Sequence, residues 1–217
     1  MSGGAGVSGR PRLVGYPANF LVAGRRCVVV GAGRIATRKI SGLLDANATV
    51  IVVAPEAGDQ VKVWSEAGQI AWHARGFEPS DLDEAWLAIT ATDNPVVNEQ
   101  VFIEGEARRV WVNSADDPVN CSFTLMSVVR RGDIVVTIGT NGRSPALATF
   151  LKDHVATEMG AEYATLLEIL SEAREAIRAA GGSTEDADWR RAFDSGILDL
   201  IRAGHEAQAK ELLRSCL

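Results

Sequence analysis

The amino-acid sequence predicts an α/β protein whose first part is a doubly wound parallel sheet. Two β-branched runs, residues 27–30 and 50–53, are continuous rather than alternating, as expected of strands buried on both faces. Between them Ala36, Ile40, Leu43 and Leu44 recur at i, i+4, i+7 and i+8, one apolar stripe of a helix. Strand and helix signals keep alternating to residue 113, the pattern of parallel β-α-β units. At 217 residues and 47% hydrophobic content, the chain can form one full domain and a smaller second one.

Each element has its own reason. The first strand runs into Gly31, Gly33 and Ala36, a GxGxxA turn. Gly31 permits the tight strand-to-helix turn, Gly33 lets a pyrophosphate approach the backbone, and Ala36 keeps the helix close to the sheet. Free N–H groups and the helix dipole favour an anion there. In this strand–turn–helix–strand setting the motif points to a bound dinucleotide and a Rossmann-like sheet. A sheet of that kind without its ligand is the plainer alternative. The second strand stops at Ala54 and Pro55. Residues 60–67 read as a helix closed by Gly68, and residues 70–73 as a short strand. Residues 85–90 form a stronger strand, and 94–107 a helix with a cap at Asp93 or Asn94 and a proline in its first turn. Residues 110–112 make one more strand.

The end of the second strand selects the cofactor. An arginine there suits NADP, whereas an acid suits NAD. Here Glu56 and Asp59 follow Pro55 with no cation before Lys62, so NAD is expected. Glu56 lies slightly beyond the usual acid position. Thr92, Asp93 and Asn94 stand at the carboxyl end of strand 85–90, where open sheets bind ligands, and are expected to border the cofactor. For Asp93 and Asn94, capping of the next helix is an equal alternative.

After Pro118 the pattern changes. Residues 122–140 read as two strands joined by a tight turn at 130–133. Ser144 and Pro145 then supply the cap and first-turn proline of a helix to about residue 158. From residue 161 onward the composition is helical, broken at Gly181, Gly182 and Gly196. The five tryptophans are expected in the core.

Composition excludes several classes. A net charge of −6 argues against a general nucleic-acid binder. No apolar stretch approaches the ~20 residues of a membrane span. The Gly/Ser-rich N-terminus lacks the apolar core of a secretory signal and reads as a flexible tail. Three cysteines without a CxxC spacing and three scattered histidines fit a reduced, cytoplasmic setting with no zinc site.

Four stretches together are far more specific than the glycines: CVVVGAGRIATRK, WLAITATD, VNSADDPVNCSF and TIGTNGRSPALA. In their order and spacing the chain resembles the precorrin-2 dehydrogenase/sirohydrochlorin ferrochelatase family, which is also the dehydrogenase–chelatase module of sirohaem synthase. The resemblance covers residues 16–155. It implies oxidation of precorrin-2 to sirohydrochlorin with NAD and, in many members, insertion of Fe²⁺, a lyase reaction. It further implies that Asp116 is catalytic, with a transient role towards the metal. Cofactor contacts are implied at Arg34, Ile35, Pro55 and Glu56, and the assembly is implied to be a homodimer. Asn113, Thr140 and Arg143, which lie in two of the quoted stretches, are the expected substrate contacts. The family's phosphorylatable serine falls on Thr140, and Met126 stands where members usually carry proline. The expected organisation is a tail at 1–14, an NAD-binding Rossmann-like domain at 15–118, a small α+β dimerisation unit at 119–158 and a C-terminal helical domain at 159–217.

Chemistry separates the two adjacent aspartates. Oxidising the macrocycle needs a proton acceptor, and a partly desolvated carboxylate at a strand's carboxyl end can serve. Asp117, directly before Pro118, is the turn residue, which leaves Asp116 to react. A substrate rich in carboxylates needs cations gathered locally, and Lys39, Arg130, Arg131, Arg143 and Lys152 are candidates. The rival readings are a non-catalytic NAD-sensing module, a dehydrogenase without chelatase activity, and a preference for Co²⁺. An assay for NAD-dependent tetrapyrrole oxidation separates the first from the rest.

Overall fold

The computed structural model describes residues 15–115 and 117–217. The expected tail at 1–14 and Asp116 lie outside the described residues. The chain forms two compact units, one ending at Leu125 and the other covering Met126–Leu217.

The first unit is built on five parallel strands: β1 (Arg26–Val30), β2 (Thr49–Val53), β3 (Ile70–His73), β4 (Leu87–Thr90) and β5 (Trp111–Ser114). Their spatial order is β3-β2-β1-β4-β5, with Val28 opposite Ile51 on one side and Ala88 on the other. Helices α1 (Arg34–Asp45), α2 (Asp59–Glu66) and α3 (Pro95–Arg108) cover the sheet. Cys27 and Val29 pack with Ala36, Ile40 and Val61, whereas Val28 and Val30 pack with Leu82 and Val101. Both faces of β1 are therefore dry. Each fully buried valine of this kind contributes roughly 1.5–3 kcal/mol relative to an exposed one, which is why the runs carry no polar alternation.

The strand–helix alternation fails at one crossover. β3 and β4 are joined by a 3-10 turn, Pro79–Leu82, instead of an α-helix. Pro79 opens the turn, and the Asp81 carboxylate closes it by accepting the Glu78 N–H at 2.9 Å. Two tryptophans also depart from the expected core. Trp86 is 56% exposed beneath the Arg25 guanidinium, 3.5 Å from its ring centroid. Trp111 is 49% exposed at the start of β5, where it meets the edge of Phe20.

In the second unit, β6 (Ser127–Arg131) and β7 (Ile134–Ile138) form an antiparallel hairpin with Val129 opposite Val136. Helix α4 (Pro145–Glu158) follows, then α5 (Glu162–Ala179), α6 (Trp189–Asp194), α7 (Ile197–Arg202) and α8 (Glu206–Cys216). Leu166, Ile169, Ile197, Ile201 and Leu213 form the core of this helical part. Besides the expected breaks, Gly204 at φ +76° separates α7 from α8. Among the described residues no helix is long and apolar enough to cross a membrane.

Candidate functional site

The strand order turns back between β1 and β4, and a cleft of about 470 Å³ opens at the carboxyl ends of the strands. Gly31, Gly33, Pro55, Glu56, Thr92 and Asp93 all line it, so most of the expected cofactor residues meet in one place. Arg34 and Ile35 form the first turn of α1, exposed and outside the cleft lining.

The two glycines of the turn have different surroundings. Gly31 adopts φ +108°, and a Cβ there would lie 2.5 Å from the Ala91 carbonyl oxygen. Neighbouring backbone alone demands a glycine at that point. Gly33 has an extended backbone, and a Cβ on it would meet nothing within 4 Å. Gly33 also caps α1 with no side-chain acceptor for the first N–H groups, and no acid occupies the first turn. Open space, unshared donors and a positive dipole end suit a pyrophosphate, so the residues present fit a dinucleotide.

At the β4 end capping and cleft coincide, since Asn94 does both. The Asn94 side chain accepts the Val96 and Val97 N–H groups and caps α3. The Thr92 hydroxyl donates to Asn98 Oδ1 at 2.8 Å, and Asn98 Nδ2 returns a bond to the Thr92 carbonyl at 3.0 Å. Asp93 is left exposed at the rim. Gly76, Phe77 and Val97 complete the lining and were not expected from the sequence. For Gly76 and Phe77 the only signal was a glycine–aromatic pair shortly after a strand.

The wall containing Gly76 is fastened by charge. Arg75 donates to both carboxylate oxygens of Asp81, at 2.6 and 2.8 Å, and to the Gly76 carbonyl at 2.9 Å. Asp81 is 3% exposed. Burial pushes its carboxyl up, but the Arg75 guanidinium and the Glu78 N–H outweigh this and hold it below the usual carboxylate range.

At the β5 end, buried Asn113 donates its amide to the Phe123 carbonyl at 3.0 Å. Ser122 accepts the Val112 N–H through its hydroxyl at 2.7 Å, so the chain returns along the edge of β5. Cys121 Sγ accepts the Ser114 N–H at 3.2 Å, and burial pushes this thiol up. Asp117 heads the 3-10 turn Pro118–Asn120 and accepts from Asn120 Nδ2 at 2.7 Å. Asp116, the expected catalytic residue, lies outside the described residues.

Thr140 and Arg143 belong to the second unit, on the loop before α4. The Thr140 hydroxyl accepts the Ser144 N–H at 3.2 Å, and Arg143 is exposed. Of the other candidate cations, Arg131 donates to the Ala156 and Met159 carbonyls near the end of α4, and Lys152 pairs with Asp153 at 3.5 Å. Among the described residues no group of three or more His, Cys, Asp or Glu is placed to hold a metal ion.

The chain is similar to several known proteins. Residues 19–127 match a family model described as "Putative NAD(P)-binding". The chain is 33% identical over 196 residues to a siroheme synthase of Photorhabdus laumondii and 36% identical over 195 residues to one of Methylobacillus flagellatus. Each alignment covers 89% of this chain but 42% of the relative, so the chain spans less than half the length of these curated relatives. Among solved structures, SirC, a precorrin-2 dehydrogenase, is similar with a TM-score of 0.73 and 25% identity. That likeness covers 93% of this chain and 98% of SirC. A family model over half the sequence, and relatives matched along nearly all of it, place the chain in the precorrin-2 dehydrogenase/sirohydrochlorin ferrochelatase family of NAD(P)-binding proteins.

Proposed function

We propose that the chain is an NAD-dependent dehydrogenase that oxidises precorrin-2 to sirohydrochlorin in siroheme biosynthesis. The observation that carries this reading is the likeness to SirC over nearly the full length of both chains. The cleft supports it from below. The first turn of α1 is suited to the pyrophosphate, and Glu56 stands at the rim where a 2′-phosphate would be repelled. Bound NAD⁺ supplies the two-electron acceptor, so precorrin-2 and NAD⁺ yield sirohydrochlorin, NADH and a proton.

In this proposal Asp116 takes the proton. Its neighbours Ala115 and Asp117 are tied down, Ala115 by its N–H to the Thr90 carbonyl at 2.9 Å and Asp117 by its turn. Asn113, Thr140 and Arg143 are the proposed substrate contacts, with Arg143 supplying a guanidinium for carboxylates. Insertion of Fe²⁺ is the second step of the proposal, with the ion as substrate and Asp116 guiding it in transit. A cytoplasmic homodimer completes the reading.

The test is anaerobic incubation with precorrin-2, with and without NAD⁺, followed by addition of Fe²⁺. Sirohydrochlorin absorbance is expected to appear only with NAD⁺. NAD⁺ binding without oxidation would favour a sensing module instead, and oxidation without accelerated metal insertion would leave a dehydrogenase alone.

A further inference from the structure

A cation sits beside the cofactor cleft, and its neighbour occupies it. Val53 and His73 are register partners at the ends of β2 and β3. Two residues beyond them in sequence come Pro55 and Arg75, and the residue after each, Glu56 and Gly76, lines the cleft. This is the region where a cation would recognise a 2′-phosphate. Arg75 has the charge, and its side chain is 37% exposed. Its guanidinium is also against the cleft wall, 2.9 Å from the carbonyl of Gly76.

The fork of that guanidinium is nevertheless filled. Both Asp81 carboxylate oxygens accept from it, and Glu78 adds a third carboxylate oxygen at 3.8 Å. Asp81 cannot easily follow Arg75 outward, because it is held in the 3-10 turn by the Glu78 N–H and, through its own carbonyl, by Arg26 at 3.2 Å. The His73 ring nitrogen stands 3.6 Å from the same carboxylate. A bidentate pair with one buried member is costly to open, since opening it leaves a carboxylate buried without its partner.

We propose that Asp81 sets cofactor choice, holding Arg75 away from a 2′-phosphate so that Glu56 governs the rim and NAD is preferred over NADP. The inference rests on the NAD-dependent reading above and adds a positioning residue to it. A purely structural role for the pair makes a different prediction. Losing the wall would weaken both cofactors together, whereas freeing Arg75 strengthens NADP alone.

Calorimetric titration of the full chain with NAD⁺ and with NADP⁺ tests this. In Asp81→Asn the affinity for NADP⁺ should rise about tenfold, the scale of one recovered charge-assisted contact, while that for NAD⁺ stays within about twofold. Adding Arg75→Gln should cancel the gain, since the two substitutions act through one contact. A folded Asp81→Asn with unchanged NADP⁺ affinity, equal weakening of both cofactors, or a gain that survives Arg75→Gln would each overturn the inference. Should Asp81→Asn not fold, Arg75→Gln alone tests the inference at a side chain that is 37% exposed. Because Arg75 is held away from the cofactor, its loss should not weaken NADP⁺ relative to NAD⁺, and a selective loss of NADP⁺ affinity overturns the proposal. If the natural chain already binds NADP⁺ as tightly as NAD⁺, the NAD reading fails along with the inference. If it prefers NAD⁺ and the variants do not shift, the inference alone fails.

Discussion

Gly31 and Gly33 stand two residues apart and should fail in opposite ways. Gly31→Ala forces a side chain into φ +108° and places its Cβ 2.5 Å from the Ala91 carbonyl oxygen. Backbone strain of that kind costs about 1–3 kcal/mol before the clash is counted, so urea denaturation should show a strongly destabilised fold. Gly33→Ala meets no atom within 4 Å and should leave the denaturation midpoint almost unmoved. It should still weaken NAD⁺ binding, because the methyl enters the space proposed for the pyrophosphate. Equal effects on stability and binding in the two variants would break this division. The aspartate pair divides similarly. Asp116→Ala should lower turnover by ~10²–10⁴-fold, as for a lost general base, with NAD⁺ affinity unchanged. Asp117→Ala should instead cost about 1 kcal/mol of stability, since its carboxylate accepts from Asn120 in the turn. Survival of full activity in Asp116→Ala would reduce the pair to a bend.

Elements whose pattern is set by burial were legible, and those set by one tertiary contact were not. β1, α1 and β2 could be read because both strand faces and one helix stripe are dry, which leaves a mark at every position. The turn Pro79–Leu82 and the wall holding Gly76 and Phe77 depend on Arg75 meeting Asp81, and a lone arginine six residues before an aspartate has no periodicity. Asn94 and Asp93 both had the right chemistry for a cap, and only the observed hydrogen bonds assign the cap to Asn94. The Arg75–Asp81 pair makes the unread element testable by acid. Because Asp81 is held below its ordinary value, the unfolded chain binds this proton more readily than the folded one. Its contribution is therefore complete above the ordinary carboxylate value of about 3.9 and is lost as pH falls from there through the lower folded value. Urea denaturation at a series of acid pH values should show this loss, and Asp81→Asn should remove that part of the slope. An unchanged slope would mean that the pair is not coupled to folding.

At the scale of the molecule, the hairpin of the second unit has one face without a partner inside its own unit. Val129 and Val136 are paired on one face, and Val129 is buried. The alternate positions on the other face, Val128 and Val135, are 41% and 42% exposed, beside Thr137 and Arg130. Helix α4 separately exposes Leu147 and Phe150, 48% and 66% exposed. Two strands alone are marginal in water, and their free edges invite further pairing. The expected consequence is a homodimer through residues around 120–158, which removes this apolar surface from water. Light scattering of the natural chain at micromolar concentration should give twice the mass of one chain. Thermal unfolding should also shift upward with protein concentration, as mass action requires of a folded state that is dimeric. Val135→Asp places a charge on the exposed face without touching the packed one, so it should lower the dimer fraction while the isolated chain stays folded by circular dichroism. A natural chain that scatters as a monomer would leave the hairpin face to another role, and a dimer untouched by Val135→Asp would move the interface off this face.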